Sequence, residues 1–162
     1  MKQFKLLNNT LGWFTFIIAA FTYCITVEPT ASFWDCPEFI TTAAKLEVGH
    51  PPGAPFFMLF GNLFAQFASD ASQVAMMINI MNALLSAGCI LFLFWSITHF
   101  AKKLIVRDDA KSVSLSKTIA IMASGVAGAL IYTWSDTFWF SAVEGEVYAF
   151  SSFITALVFW LI

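Results

Sequence analysis

Among the long stretches of this chain without Asp, Glu, Lys or Arg, four are apolar nearly throughout: residues 6–27, 71–101, 118–135 and 147–162. A helix that crosses a bilayer needs about 20 mostly apolar residues, and it satisfies every backbone N–H and C=O within itself. Membrane spans are therefore expected at about 6–27, 74–100 and 118–135. The stretch 147–162 is apolar to its last residue and reads as a fourth span cut short, so the chain is expected to be the front part of a larger protein. Composition agrees where it bears on the point. Only 11% of the residues are charged, with 19 Phe and 6 Trp, against roughly 25% charged in a soluble domain. The expected fold class is an all-α integral membrane protein, a multi-pass helical bundle with one domain over 1–162.

The first apolar run could be a secretory signal, since Lys2 and Lys5 precede it. It is long for a signal core and no small-x-small site closes it, so a retained helix is the better reading. Residues 48–69 are uncharged yet open with HPPGAP. Their apolar part, 54–68, is short for a span, and Asn62, Gln66 and Ser69 form one polar stripe, which suits a juxtamembrane helix lying at the interface.

Charge decides the topology. If 48–69 does not cross, the N-terminus and the loop 101–117 share one side and hold Lys2, Lys5, Lys102, Lys103, Arg107, Lys111 and Lys117, seven of the eight basic residues. The loops 28–73 and 136–146 then hold Glu28, Asp35, Glu38, Glu47, Asp70, Asp136, Glu144 and Glu146, eight of the ten acids. The positive-inside rule makes the first side cytoplasmic and the acidic loops outer. No basic run with interleaved aromatics points to nucleic acid. Cys24, Cys36 and Cys89 are odd in number and include no CxxC, so neither a disulfide framework nor a zinc site is supported.

The polar chemistry gathers on the acidic side, in two patches. In WDCPEF, residues 34–39, Asp35 and Glu38 stand as a capping box with Pro37 in the first turn. The same acids could also face a substrate, and neighbouring aromatics would desolvate them, raise their pKa and favour a general base. GHPPG, residues 49–53, is a rigid break. It sets His50 near Lys45, the cation-capable groups of this side. The second patch is WSDTFWFSAVEGEVYAF, residues 134–150, where Trp134, Trp139 and Tyr148 suit an interfacial belt. Glu144 and Glu146 flank a membrane-entry helix, where an acid is costly unless water or a ligand reaches it. Standing two apart, they cannot share a helix face, so one at most is expected to point at a site. No nucleotide-binding signature, GxSxG or HExxH occurs.

FWDCPEFITTAAKLEVGHPPGAPFFMLFGNLFAQF, followed by a span, resembles the first outer loop of GT-C-type glycosyltransferases. It is most similar to the bacterial membrane family called domain of unknown function 2723, and FWFSAVEGEVYAF at 138–150 matches that family's later segment. In the related protein O-mannosyltransferases the two acids are adjacent and the later motif is HPPL; here the acids are three apart and the motif is HPPG. The resemblance implies transfer of a sugar from a polyprenyl-phosphate carrier to an acceptor protein or glycan, at the outer face of the cell (inner) membrane. It implies Asp35 and Glu38 as catalytic residues, His50 and Lys45 as binders of the donor phosphate, and Glu144, Glu146, Trp34 and Tyr148 as substrate contacts. Some GT-C enzymes use a divalent metal and others none, and the sequence leaves that choice open. The rival readings are a transporter or channel subunit, or a membrane assembly protein without catalysis. The first would line a path with intramembrane charges, which the spans lack.

Overall fold

A computed structural model describes residues 2–51, 53–106 and 113–162. Pro52 of the GHPPG segment, and Arg107 and Lys111 of the charge count, lie outside the described residues. Among those described there are helices and turns and no strand. The helices are α1 (Lys2–Ile25), α2 (Cys36–Lys45), α3 (Pro55–Ala65), α4 (Val74–Ile105), α5 (Leu115–Thr133), α6 (Asp136–Ala142) and α7 (Val147–Leu161), with a single 3₁₀ turn at Ala71–Gln73 leading into α4.

The bundle is built around α4, which packs against α1, α5 and α7. Ala83, Ala87, Ile90 and Phe94 of α4 are fully buried in that core, together with Ala19 and Tyr23 of α1 and Ala129 of α5. In lipid there is little hydrophobic drive between helices, so close approach of small residues supplies the packing. A Cβ on Gly88 would fall 2.7 Å from the Phe153 ring, and one on Gly125 would fall 2.5 Å from Thr98 Cγ2. A second core lies under α2 and α3, where Cys36, Ile40, Ala43 and Phe57 meet Ile78 and Met81 of α4.

Length and apolarity qualify α1, α4 (with its 3₁₀ turn) and α5 as crossing helices, and α6 with α7 forms a pair bent by 110°. The protein is thus a helical membrane bundle with three such helices, or four if the bent pair is one span. The helices alternate in direction. Lys102 near the end of α4 stacks over the Phe4 ring near the start of α1. At the other end, the Tyr23 hydroxyl donates to the Thr133 carbonyl at the end of α5 (2.9 Å). There too, Asn79 near the start of α4 donates to the Glu28 carbonyl just past α1 (2.7 Å). The ends of α1 and α5 and the starts of α4 and α7 therefore share one face of the bundle. Lys2, Lys5, Lys102, Lys103 and Lys117 lie at the opposite end.

Three local readings differ from the sequence expectation. Within the stretch 136–146, expected as an outer loop, Asp136–Ala142 is helical and its Phe138 is buried against Tyr23 (ring centroids 6.2 Å). The polar stripe of α3 does more than face headgroups. Asn62 Nδ2 donates to the Ala43 and Ala44 carbonyls (3.2 and 2.9 Å), satisfying orphan acceptors at the end of α2. Lastly, α4 runs past 100 to Ile105.

Candidate active site

Asp35 does occupy the N-cap position of α2, but its side chain makes no capping hydrogen bond. The capping box is not formed. The reason is Glu38, which turns away from the Asp35 backbone toward residue 50. Its Oε1 accepts from the His50 backbone N–H (2.7 Å), and both carboxylate oxygens lie 3.0 Å from His50 Nδ1. The left-handed Leu46 (φ 54°) closes α2 and folds the chain back so that His50 can arrive there. Gly49 makes room: a Cβ at that position would sit 3.1 Å from Glu38 Oε1.

The electrostatics follow from this pair. Hydrogen bonds from the His50 backbone and ring hold the Glu38 carboxyl below its ordinary value. This corrects the expectation that neighbouring aromatics raise it. The same partner raises His50, with Asp35 and Glu146 adding to the effect, so His50 is biased toward its cation. Among the described residues Lys45 makes no ion pair and is exposed. Asp35 is also exposed. Trp34, just before it, is 91% exposed and sits in the left-handed region at φ 64°, a conformation that costs a bulky residue of order 1–3 kcal/mol.

The second acidic patch folds over the first. Glu144, Gly145 and Glu146 lie in the turn between α6 and α7, outside any helix. The argument that one acid at most could point at a site assumed helical spacing, and the turn removes that premise. Both side chains are turned inward, each residue 7% exposed. The Ser32 hydroxyl of the first loop donates to Glu144 Oε2. Burial, then the charges of Glu144 and Asp35, push the Glu146 carboxyl up to about 7. Gly145 is pressed onto α2 and α4: a Cβ there would meet Ile40 Cγ1 at 2.8 Å and Asn79 Oδ1 at 2.9 Å.

Two buried amides of α4, three residues apart and so on one face, fasten the arrangement. Asn79 Nδ2 donates to the carbonyls of Glu28 and Thr30 (2.7 and 2.9 Å). Asn82 Nδ2 donates to those of Glu144 and Glu146, the latter at 2.8 Å. Both residues are 0% exposed. Sequence reading passed over Ser32, Asn79 and Asn82. Asparagines inside an otherwise apolar span were the available signal, since a polar group there marks a functional or positioning role.

Asp35, Glu38, His50 and Glu146 thus act on one another, and Glu144 joins them through the turn. Tyr148 instead lies on the first turn of α7 and lines a different cleft, with Tyr132, Phe138 and Ser141. Beside the cluster opens an apolar groove of about 610 Å³ between α3, α4 and α7. Ala54 and Pro55, just after GHPPG, and Val147, just after Glu146, line the end next to the acids, and Phe60, Phe153 and Ile154 line its body. A carboxylate cluster with one imidazole biased toward its cation, next to such a groove, can bind a polar group joined to a long apolar one. Among the described residues no three His, Cys, Asp or Glu side chains are arranged to hold a metal ion.

The sequence model of the family described as "Protein O-mannosyl-transferase TMEM260 N-terminal domain" matches residues 35–162. Two curated relatives are each 24% identical over 152 residues. They are "Protein O-mannosyl-transferase tmem260" of Dictyostelium discoideum, covering 90% of this chain and 16% of the relative, and "Protein O-mannosyl-transferase TMEM260" of Mus musculus, covering 94% and 19%. The chain thus spans less than a fifth of the length of these relatives. No solved structure matches it significantly.

Proposed function

The chain belongs to the protein O-mannosyl-transferase TMEM260 N-terminal domain family, and from that premise we propose that it forms the acceptor- and donor-facing part of a membrane glycosyltransferase of the GT-C type. The proposed donor is a sugar, mannose by analogy with the relatives, on a polyprenyl-phosphate carrier. The proposed acceptor is a Ser or Thr hydroxyl of a secreted protein. Chemistry runs at the outer face of the cell (inner) membrane, with the N-terminus cytoplasmic, as the basic loops favour.

The observation that carries this reading is the meeting of two acidic segments, 35–38 and 144–146, around His50, at the mouth of an apolar groove. A soluble sugar donor would not need the groove, and a conduction path would not need the acids at one face.

In the proposed step the acceptor oxygen attacks the anomeric carbon as the bond from that carbon to the phosphate oxygen breaks. Charge develops on the sugar ring as in other glycosyl transfers. The acceptor proton passes to Asp35, which is exposed to the approaching hydroxyl. The electron pair of the broken bond leaves on the lipid phosphate, and His50, biased toward its cation by Glu38, faces that charge with Lys45. Glu38 is then a positioning residue for His50. Glu144 and Glu146 contact sugar or acceptor hydroxyls, and Trp34 offers an exposed indole face to the ring. The isoprenoid tail lies along Phe60, Phe153 and Ile154.

The test supplies full-length protein in membranes with labelled mannose on polyprenyl phosphate, and in a parallel arm with labelled nucleotide-mannose, plus a Ser/Thr peptide. Label is expected on the peptide in the first arm alone. Equal labelling from the nucleotide arm, or none from either, overturns the proposal.

A further inference from the structure

At the end of the bundle opposite the acids, α1 and α4 part to leave a cleft of about 440 Å³. Lys5 and Asn8 of α1 and His99 and Lys102 of α4 line it, with Trp13, Trp95 and Trp160 among its walls and, among the described residues, no acidic side chain in the lining. Its charge is built from two helices, so it exists only in the folded bundle. Lys102 is held half-buried over the Phe4 ring, 5.4 Å from its centroid, which fixes one ammonium at the cleft. Trp13 and Trp160 both pack on Trp95 (ring centroids 6.2 and 5.3 Å). Trp13 on α1 and Trp95 on α4 lie about two turns further into the bundle than Lys5 and Lys102, so the tryptophans form the deeper apolar wall of the cleft. Two polar atoms of the lining are buried without a hydrogen-bond partner among the described residues: the acceptor Asn8 Oδ1 and the donor Trp95 Nε1. A buried acceptor left unmatched is destabilising, so a ligand that fills the cleft and brings an O–H or N–H donor is favoured.

We propose that this cleft binds the headgroup of an anionic phospholipid, a phosphodiester whose headgroup bears a hydroxyl or amine donor, in the leaflet opposite the acidic site. Lys5 and Lys102 take the phosphate, Asn8 Oδ1 accepts from the headgroup, and the tryptophans flank the acyl chains below it. Basic pockets between helix ends are the usual seat of such lipids. The inference is independent of the proposed transferase chemistry.

The test is thermal unfolding of the full-length protein in nanodiscs of phosphatidylcholine alone, with added phosphatidylglycerol, or with inorganic phosphate in the buffer. Phosphatidylglycerol is expected to raise the midpoint by several degrees, and inorganic phosphate is not. The rise should vanish in the double variant Lys5→Gln/Lys102→Gln and persist in Lys2→Gln/Lys117→Gln, which removes equal charge at the same end outside the cleft. A rise that survives the first pair, that is lost equally in the second, or that inorganic phosphate reproduces overturns the assignment. Should the first pair fail to fold, native mass spectrometry of wild type from mixed nanodiscs decides. Preferential retention of phosphatidylglycerol supports the site, and retention in proportion to the mixture overturns it.

Discussion

Replacing Asn82 by Leu keeps the branched shape and heavy-atom count of a fully buried side chain and deletes both donors that hold the Glu144–Glu146 turn. Two carbonyls lose a partner. Each orphaned buried acceptor costs about 1–3 kcal/mol. The Glu144 carbonyl keeps the Glu146 N–H at 2.9 Å, so the Glu146 carbonyl bears most of the cost. The expected destabilisation of the turn is about 2–4 kcal/mol, or roughly 30- to 700-fold more frequent local opening at about 1.4 kcal/mol per decade. Hydrogen exchange read by mass spectrometry on a peptide covering 140–150 measures this directly. Exchange there should accelerate by that order, with α4 protection retained as the control for folding. Wild-type exchange in a folded Asn82→Leu protein would refute the claim that α4 amides hold the acidic turn.

Other expectations follow from the same contacts. Gly145→Ala forces a methyl to within 2.8 Å of Ile40 Cγ1 and 2.9 Å of Asn79 Oδ1; overpacking of this kind costs about 1–3 kcal/mol and should lower the thermal midpoint, whereas Gly53→Ala meets no atom within 4 Å but sits at φ +72° and should cost only backbone strain. Glu38 is depressed and His50 elevated, so the stabilisation from their pair is in full force between the ordinary values of 4.5 and 6.5. It is lost as pH falls through the folded Glu38 value or rises through the folded His50 value. Glu38→Gln should return His50 toward 6.5, read by NMR titration of its ring. Glu146 is raised from 4.5 to about 7, so its contribution to stability is complete below 4.5 and is lost as pH rises through about 7. Glu146→Gln should therefore stabilise the protein at pH above 7, by at most about 3 kcal/mol at roughly 1.4 kcal/mol per unit, and leave it unchanged at acid pH; equal midpoints across the whole range would contradict the shift.

The helical bundle was readable because its signals are long. Uncharged runs of span length around α4 leave lipid as the only tolerable surroundings, and no local detail can overturn that. The acidic cluster was readable in composition but not in geometry. WDCPEF and GHPPG pointed to Asp35, Glu38 and His50, yet local grammar gave Glu38 a partner three residues back, while folding gave it one twelve residues on. That choice rests on the left-handed Leu46 and bare Gly49, which sequence patterns do not announce. Glu144 and Glu146 were misjudged because helical spacing was applied to a turn. Asn79 and Asn82 were missed because their partners are backbone carbonyls about 50 and 60 positions away, and no spacing rule reaches that far.

The central claim is that Asp35 receives the acceptor proton in the site made by the two acidic segments. The most direct measurement is transfer of labelled mannose from polyprenyl phosphate to a Ser/Thr peptide by full-length wild type and by Asp35→Asn, with thermal midpoints recorded alongside. A general base contributes about 10²–10⁴-fold, so the account predicts a loss of that order in the rate of transfer with an unchanged midpoint. Wild-type transfer by an intact Asp35→Asn protein would contradict it.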